Sequence, residues 1–343
     1  MFFIMCFIFI FAYLIQNSVV MIKSTSVICL LFVLSIQTVY SQFGSGNRAA
    51  VEELKSKTLL VYQYENAPNY NAKIKQLVDS NWKYCPYVLI SRKDVESYKK
   101  RKDIIVLGFD VVWGDQQTPK QPYFGLTYGF KGININSSFL AMVFARLTHY
   151  VYKTEKPYYP IIIPNNLDKD VDDIDIEMFF YSIIDIVERM RMFETKKNFN
   201  YHRDEFYESS KNYDFIKNKK LMLIKEEIYC EGISKYAKSM NGIDSLYFIP
   251  TDTAFWNPNE LMKYYKYGVV VSPRKDIEKT LKESGDNVII MRKFDNYYSI
   301  LYYYYDPQKK KIVHASNEVN PYIMEDTKFT NQLKKCNDAN GSK

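Results

Sequence analysis

Histidine is nearly missing from this chain: His149, His202 and His314 are the only three in 343 residues. None lies at a zinc-ligand spacing from another histidine or from a cysteine, so each is expected to be a packing or surface residue. Cysteine is equally sparse. Beyond the apolar N-terminus only Cys85, Cys230 and Cys336 remain. Three widely spaced thiols do not make a disulfide framework, and the expectation is that none pair. Also missing are a Gly-x-Ser-x-Gly elbow, a phosphate-cradling loop and a Gly-x-Gly-x-x-Gly turn after the first strand. No motif calls for a cofactor. Dense basic stripes are lacking too. The runs Lys99-Lys100-Arg101-Lys102 and Lys309-Lys310-Lys311 are isolated, and nucleic acid is not an indicated partner.

Long hydrophobic runs occur only at the start. Phe2 to Ile15 is about fourteen residues, short of the roughly twenty a bilayer span needs. The second run has the grammar of export: Lys23 as the positive residue, an apolar stretch from Val27 to Leu34, and Val39-Tyr40-Ser41 as a small-residue cleavage site. Residues 21–41 are therefore expected to be a signal peptide, cleaved near Ser41 to give a secreted or periplasmic protein. Residues 1–20 read as a gene-model extension or an extra apolar segment. Removing Lys23 with them lowers the formal charge from +7 to +6. Aromatics are abundant, with 31 tyrosines, and together with the many Lys, Asn and Ile residues they fit AT-rich codon usage. Two Asn-x-Ser sequons stand at Asn136 and Asn340.

Hydrophobic periodicity predicts an α/β fold of two similar β-α-β-α-β lobes, residues 42–196 and 218–325, with helix-covered, mainly parallel or mixed sheets. The first lobe reads as a strand at Thr58 to Tyr64, a helix from Tyr70 to Lys83, strands at Tyr87 to Ser91 and Ile104 to Phe109, and a short helix between them. Ile74, Leu77, Val78 and Trp82 share one face of the longer helix. Ser91 with Asp94 forms a capping box. Strands at Leu221 to Lys225, Leu246 to Pro250 and Val269 to Ser272 repeat the pattern, with helices at Glu231 to Met240 and Asn259 to Tyr265. Asn257-Pro258 and Ser272-Pro273 serve as cap-then-proline starts. This reading matches Leu246 to Pro250 with Tyr87 to Ser91 and implies an internal duplication. A long amphipathic helix from Asp175 to Phe193 ends the first lobe, and a hairpin turning at Asp306-Pro307 ends the second. Residues 197–217 read as a linker and 326–343 as a flexible, frayed tail.

Candidates for chemistry follow from that map. Ligands of open α/β sheets gather at the carboxyl ends of strands, where Glu65, Asp110, Glu227 and Asp252 are expected. Paired carboxylates there would do general acid and base work. Asp168, Asp170, Asp172 and Glu177, counted from Asn166, fall at positions 3, 5, 7 and 12 of a calcium-type loop. However, Val171 stands where that loop needs glycine, and capping of the following helix explains the same acids. Tyr302 and Tyr304 on the hairpin, with Trp113 and Trp256 in loops, are the candidate ligand-binding aromatics. Cross-strand packing is the competing reading for the tyrosines. The preferred functional reading is a non-catalytic, exported binding or envelope-associated module, with its site in the cleft between lobes and a protein or glycan of the envelope as partner. A buried carboxylate pair or Cys/His cluster in that cleft would overturn it. The alternatives are a secreted hydrolase using Asp110 and Asp252, and a membrane-anchored structural subunit that keeps its first twenty residues.

Overall fold

The computed structural model describes residues 45–98, 100–112, 121–128, 139–144, 150–155, 159–164, 167–194, 199–200, 213–228, 258–296, 299–319 and 325–341. The expected signal segment, the Glu231 to Met240 helix and the Leu246 to Pro250 strand lie outside these residues. Phe43 to Lys343 form one compact unit.

The first lobe begins with β1 (Ser45–Gly46) and α1 (Arg48–Leu54), whose Asn47 side chain accepts from the amides of Ala49 and Ala50. β2 (Thr58–Tyr62), α2 (Pro68–Asn81), β3 (Tyr87–Ile90), α3 (Val95–Tyr98) and β4 (Ile104–Val112) follow. β5 (Gln121–Tyr128) and β6 (Phe139–Phe144) complete a five-stranded sheet in the order β3-β2-β4-β5-β6. β2 runs parallel to β3 and β4, and the later pairs are antiparallel. The capping box expected at Ser91 and Asp94 is present, on a short turn of 3-10 helix before α3.

A two-stranded ribbon, β7 (Tyr150–Glu155) and β8 (Tyr159–Pro164), leads to the short α4 (Leu167–Asp170) and the long α5 (Asp173–Met192). β9 (Phe199–Asn200) returns to pair with β1.

The second lobe repeats the strand order. β10 (Lys220–Ile224), α6 (Pro258–Leu261), β11 (Val269–Ser272), α7 (Ile277–Ser284), β12 (Val288–Asn296), β13 (Ser299–Asp306) and β14 (Lys311–Val319) form a sheet ordered β11-β10-β12-β13-β14. Its parallel and antiparallel pairs fall where they do in the first sheet. The two lobes are thus similar mixed α/β units, as the periodicity implied. The strand matching needs one correction. β11, not the Leu246 to Pro250 segment, takes the place of β3, and Arg274-Lys275-Asp276 follows it as Arg92-Lys93-Asp94 follows β3. Repeat matching by spacing alone failed because loops change length more readily than strands change partners.

Two helix expectations also change. α6 is one turn, shorter than Asn259 to Tyr265. At β11 the Ser272 hydroxyl bonds Thr280 Oγ1 at 2.8 Å rather than capping amides. The expected frayed tail is instead α8 (Glu325–Gly341), with Phe329, Leu333 and Cys336 buried on one face. Their spacing by four and three is helical, but so few apolar residues in a polar segment left the pattern faint. Polar anchoring does the rest: buried Gln332 accepts from the hydroxyl of Tyr213 at 3.0 Å and donates to Ser316 Oγ at 3.0 Å.

The second sheet is covered on both faces. Leu221, Leu223, Ile289, Met291, Tyr302 and Tyr304 pack with α8, whereas Met222, Ile224, Ile290, Tyr303 and Tyr305 join the core that contains α5. α5 also touches α1, α2, β5 and β6 of the first lobe as well as β14 of the second. Its Phe179 stacks on Phe124 (6.0 Å, 24°) and meets Phe109 edge-on (6.1 Å), while Tyr181 accepts a bond from Lys310 in the β13–β14 turn. A helix apolar on so many sides belongs in an interior. One helix is therefore core to both lobes.

In the first sheet Gly108 and Gly125 lie directly opposite each other, and the Tyr123 ring folds over Gly125. A Cβ built on Gly125 would stand 2.7 Å from that ring and 3.1 Å from the Ala141 carbonyl oxygen. Gly125→Ala is expected to lower stability by about 1–3 kcal/mol, measured as a drop in the urea midpoint with the slope unchanged.

Candidate functional site

The densest ionisable cluster among the described residues is buried where α5 meets the carboxyl ends of β10 and β11. After β10 a turn of 3-10 helix, Lys225–Glu227, points the Glu227 carboxylate inward. After β11 the turn at Arg274 brings its guanidinium to the same point. Arg292 enters from β12, one residue past Met291, which pairs with Leu223 of β10. Asp175 arrives from the first turn of α5.

The four side chains close a ring. Arg292 Nε donates to both Glu227 oxygens (3.0 and 3.2 Å) and its Nη2 to Oε1 at 2.6 Å, while its Nη1 donates to Asp175. Arg274 Nη2 lies 3.0 Å from Glu227 Oε1, and its Nη1 lies 3.6 Å from Asp175 Oδ2. Asp175, Glu227 and Arg292 are each only 1% exposed. The Lys293 amide donates to Glu227 at 2.9 Å, and the Arg274 amide to Glu226 at 2.9 Å. Two carboxylates thus face two guanidiniums, which arginine's planar fork suits.

Asp172 flanks the ring as the N-cap of α5. Its Oδ1 accepts the Asp175 amide at 2.9 Å, whereas its buried Oδ2 has no hydrogen-bond partner among the described residues. Burial pushes the Asp172 carboxyl above the ordinary aspartate range, against the lowering pull of Arg292 and Arg274.

Of the candidate strand-end acids whose side chains are among the described residues, Glu227 reaches this cluster and Glu65 does not. Glu65 is exposed in the turn after β2. Asp110 is not beyond a strand but inside β4, paired with Tyr123, because the strand runs on to Val112. The side chain of Asp110 and all of Asp252 lie outside the described residues, as do Trp113 and Trp256.

Three of the four calcium-type acids, Asp168, Asp172 and Glu177, are held within the protein. Asp168 accepts the amides of Asn69 and Tyr70 at 3.0 and 2.9 Å, capping the start of α2. Asp172 caps α5, and Glu177 pairs with Lys73 at 2.6 Å. The Asp170 side chain lies outside the described residues.

Tyr302 and Tyr304 are not displayed for a ligand. Both are fully buried under α8, and Tyr303 and Tyr305 are buried on the opposite face. The packing reading therefore holds over the ligand-binding one, and on both faces of the strand, because each face has its own helix. His314 packs among rings, stacked on Phe215 at 4.8 Å and 17°; His149 and His202 lie outside the described residues. Cys85 and Cys336 are free, and burial pushes the Cys336 thiol up to about 12; Cys230 lies outside the described residues. At Asn340 the side-chain nitrogen donates to Ile216 O and Tyr265 Oη at 2.9 and 2.7 Å, so it is engaged in packing; Asn136 lies outside the described residues.

Spacing did not single out Arg274 and Arg292. The signal available was Arg292 itself, a charge at the end of the apolar strand Val288-Ile289-Ile290-Met291, which in a sheet covered on both faces demands a buried counter-charge. No protein-family model matches the chain, and no significant similarity to a curated protein or a solved structure was found.

Proposed function

We propose that this chain is an exported, non-catalytic binding module: a stiff scaffold of two duplicated α/β lobes that carries its binding surface on the outside. The observation that supports it is the arginine-neutralised ring. Asp175 and Glu227 are the buried carboxylate pair that would have argued for acid and base chemistry, yet each is bound by guanidinium groups. A carboxylate held in this way is a poor proton acceptor, and the ring sits inside packed core. The space between the lobes is occupied by α5, so the binding site expected in an inter-lobe cleft moves to the surface. The common strand order and the repeated Arg-Lys-Asp turns support duplication, and the grammar of residues 21–41 supports export to a secreted or periplasmic address.

A thermal-shift screen of residues 43–343 against peptides, glycan fragments, nucleotides and calcium, run beside a hydrolase substrate panel, tests this reading. A ligand that raises the melting point by mass action, with no turnover on the panel, is the expected result. Turnover abolished by Asp110→Asn or Asp252→Asn would replace it with the hydrolase reading.

A further inference from the structure

The second lobe carries a surface where exposed apolar and basic side chains are interleaved. Met262 and Tyr267, two of the few large hydrophobic side chains exposed among the described residues (46% and 43%), lie five positions apart in the segment joining α6 to β11. That segment rests against the C-terminal half of α8. The Lys266 amide donates to Asn337 Oδ1 at 3.1 Å, and Lys334 Nζ lies 5.6 Å from the centre of the half-buried Tyr264 ring. Tyr265 anchors the segment from inside, its hydroxyl donating to the Lys219 carbonyl at 2.6 Å, while the exposed Tyr267 packs on it with the rings tilted 58° at 5.8 Å.

Lys263, Lys266 and Lys334 are exposed and form no ion pair among the described residues. By contrast, neighbouring Lys217 and Lys219 are paired with Asp214 and Asp306. Glu260 is the one acid between Pro258 and Gly268.

We infer that this face docks the protein on an anionic lipid surface. Three points of chemistry converge. Tyrosine is favoured at the headgroup level of a bilayer, where its ring is apolar and its hydroxyl wet. Exposed lysines that form no ion pair among the described residues suit a fluid array of negative headgroups, each contributing through the surface potential. Protein–protein interfaces enrich arginine and deplete lysine, and the cations here are all lysine. Met262 and Tyr267 provide the apolar contact, and the three lysines hold the surface flat against the charge. The inference deepens the binding-module reading by naming a partner, and rests on it.

Co-sedimentation of residues 43–343 with phosphatidylcholine vesicles, with and without phosphatidylglycerol, tests it. This span leaves out the apolar N-terminus, which would bind lipid by itself. The protein is expected to pellet with the anionic vesicles and not with the neutral ones, and to be released by salt. Each of Lys263→Gln, Lys266→Gln and Lys334→Gln is expected to lower the partition coefficient about fivefold, and Tyr267→Ser to weaken binding further while the melting point stays unchanged. Absence of vesicle binding, or binding untouched by these substitutions, overturns the inference. A soluble ligand found by thermal shift alongside that negative result would leave the binding-module reading standing and remove only the lipid surface. A pulled-down protein whose capture is lost in the same variants would likewise show a protein interface in its place.

Discussion

Arg292→Met is expected to destabilise the fold by about 3–5 kcal/mol, the cost of stripping the counter-charge from a buried carboxylate. Asp175 and Glu227 would stay in the interior, Asp175 with Arg274 at 3.6 Å and the Asp172 amide at 3.3 Å, and Glu227 with Arg274 at 3.0 Å and the Lys293 amide at 2.9 Å. The pH dependence has a defined sign. A buried carboxylate without its cation has its pKa raised above the unfolded value, so its folded form is favoured when protonated and loses stability as pH rises through that raised pKa. The deficit of the variant should therefore shrink as pH falls from neutral into the acidic range. Asp172, already raised by burial, would shift the same way once the pull of Arg292 is gone. Adding Asp175→Asn to Arg292→Met should return much of the lost stability, because the remaining carboxylate, Glu227, then faces Arg274 at 3.0 Å and no charge of the ring is left uncompensated. Urea titrations across pH measure all three effects. A single substitution that costs no more than an exposed salt bridge, roughly 1 kcal/mol or less, would show that the ring does not hold the lobes.

Phe179→Ala is expected to cost a similar amount, about 3–5 kcal/mol, by leaving a cavity where the ring meets Phe109 and Phe124. The magnitude is ordinary for a core phenylalanine; its reach is the informative part. Phe179 faces the first sheet, whereas Glu177 and Tyr181 on the same helix face Tyr305 of the second, whose phenol is raised by burial and by those neighbours. Loosening α5 from the first lobe should therefore weaken protection from hydrogen exchange in β13 and β14. Protection lost only in β4 and β5 would mean that α5 belongs to one lobe alone.

Much of the fold was legible because it depends on period and punctuation. Val288-Ile289-Ile290-Met291 reads as a strand, Asp306-Pro307 as a turn, and the turn is closed as expected by Asp306 accepting the amides of Gln308 and Lys309. α5 was found within two residues of its ends, because its apolar positions recur at helical spacing. What escaped depends on tertiary contacts. α8 has three buried hydrophobic anchors and is held as much by Gln332 as by its apolar side chains. The ring was half visible: Glu227 was a candidate for its place after a strand, whereas Asp175 was read only as the start of a helix. Each reading was local, and only the packing of α5 against the second sheet brings the two acids to the same arginines. The tyrosines of β13 illustrate the converse. Alternation correctly assigns them to two faces, but a strand pattern does not say how many helices cover a sheet.

The central claim is that α5 and the ring make the two lobes one cooperative body. Native-state hydrogen exchange under increasing denaturant tests it most directly, by comparing amides of Leu59 to Val61 in the first sheet with those of Leu221 to Leu223 in the second. The account predicts that both sets open with the same free energy and the same denaturant dependence. Opening of the second sheet at lower free energy, with the first still protected, would contradict it and describe two separable lobes.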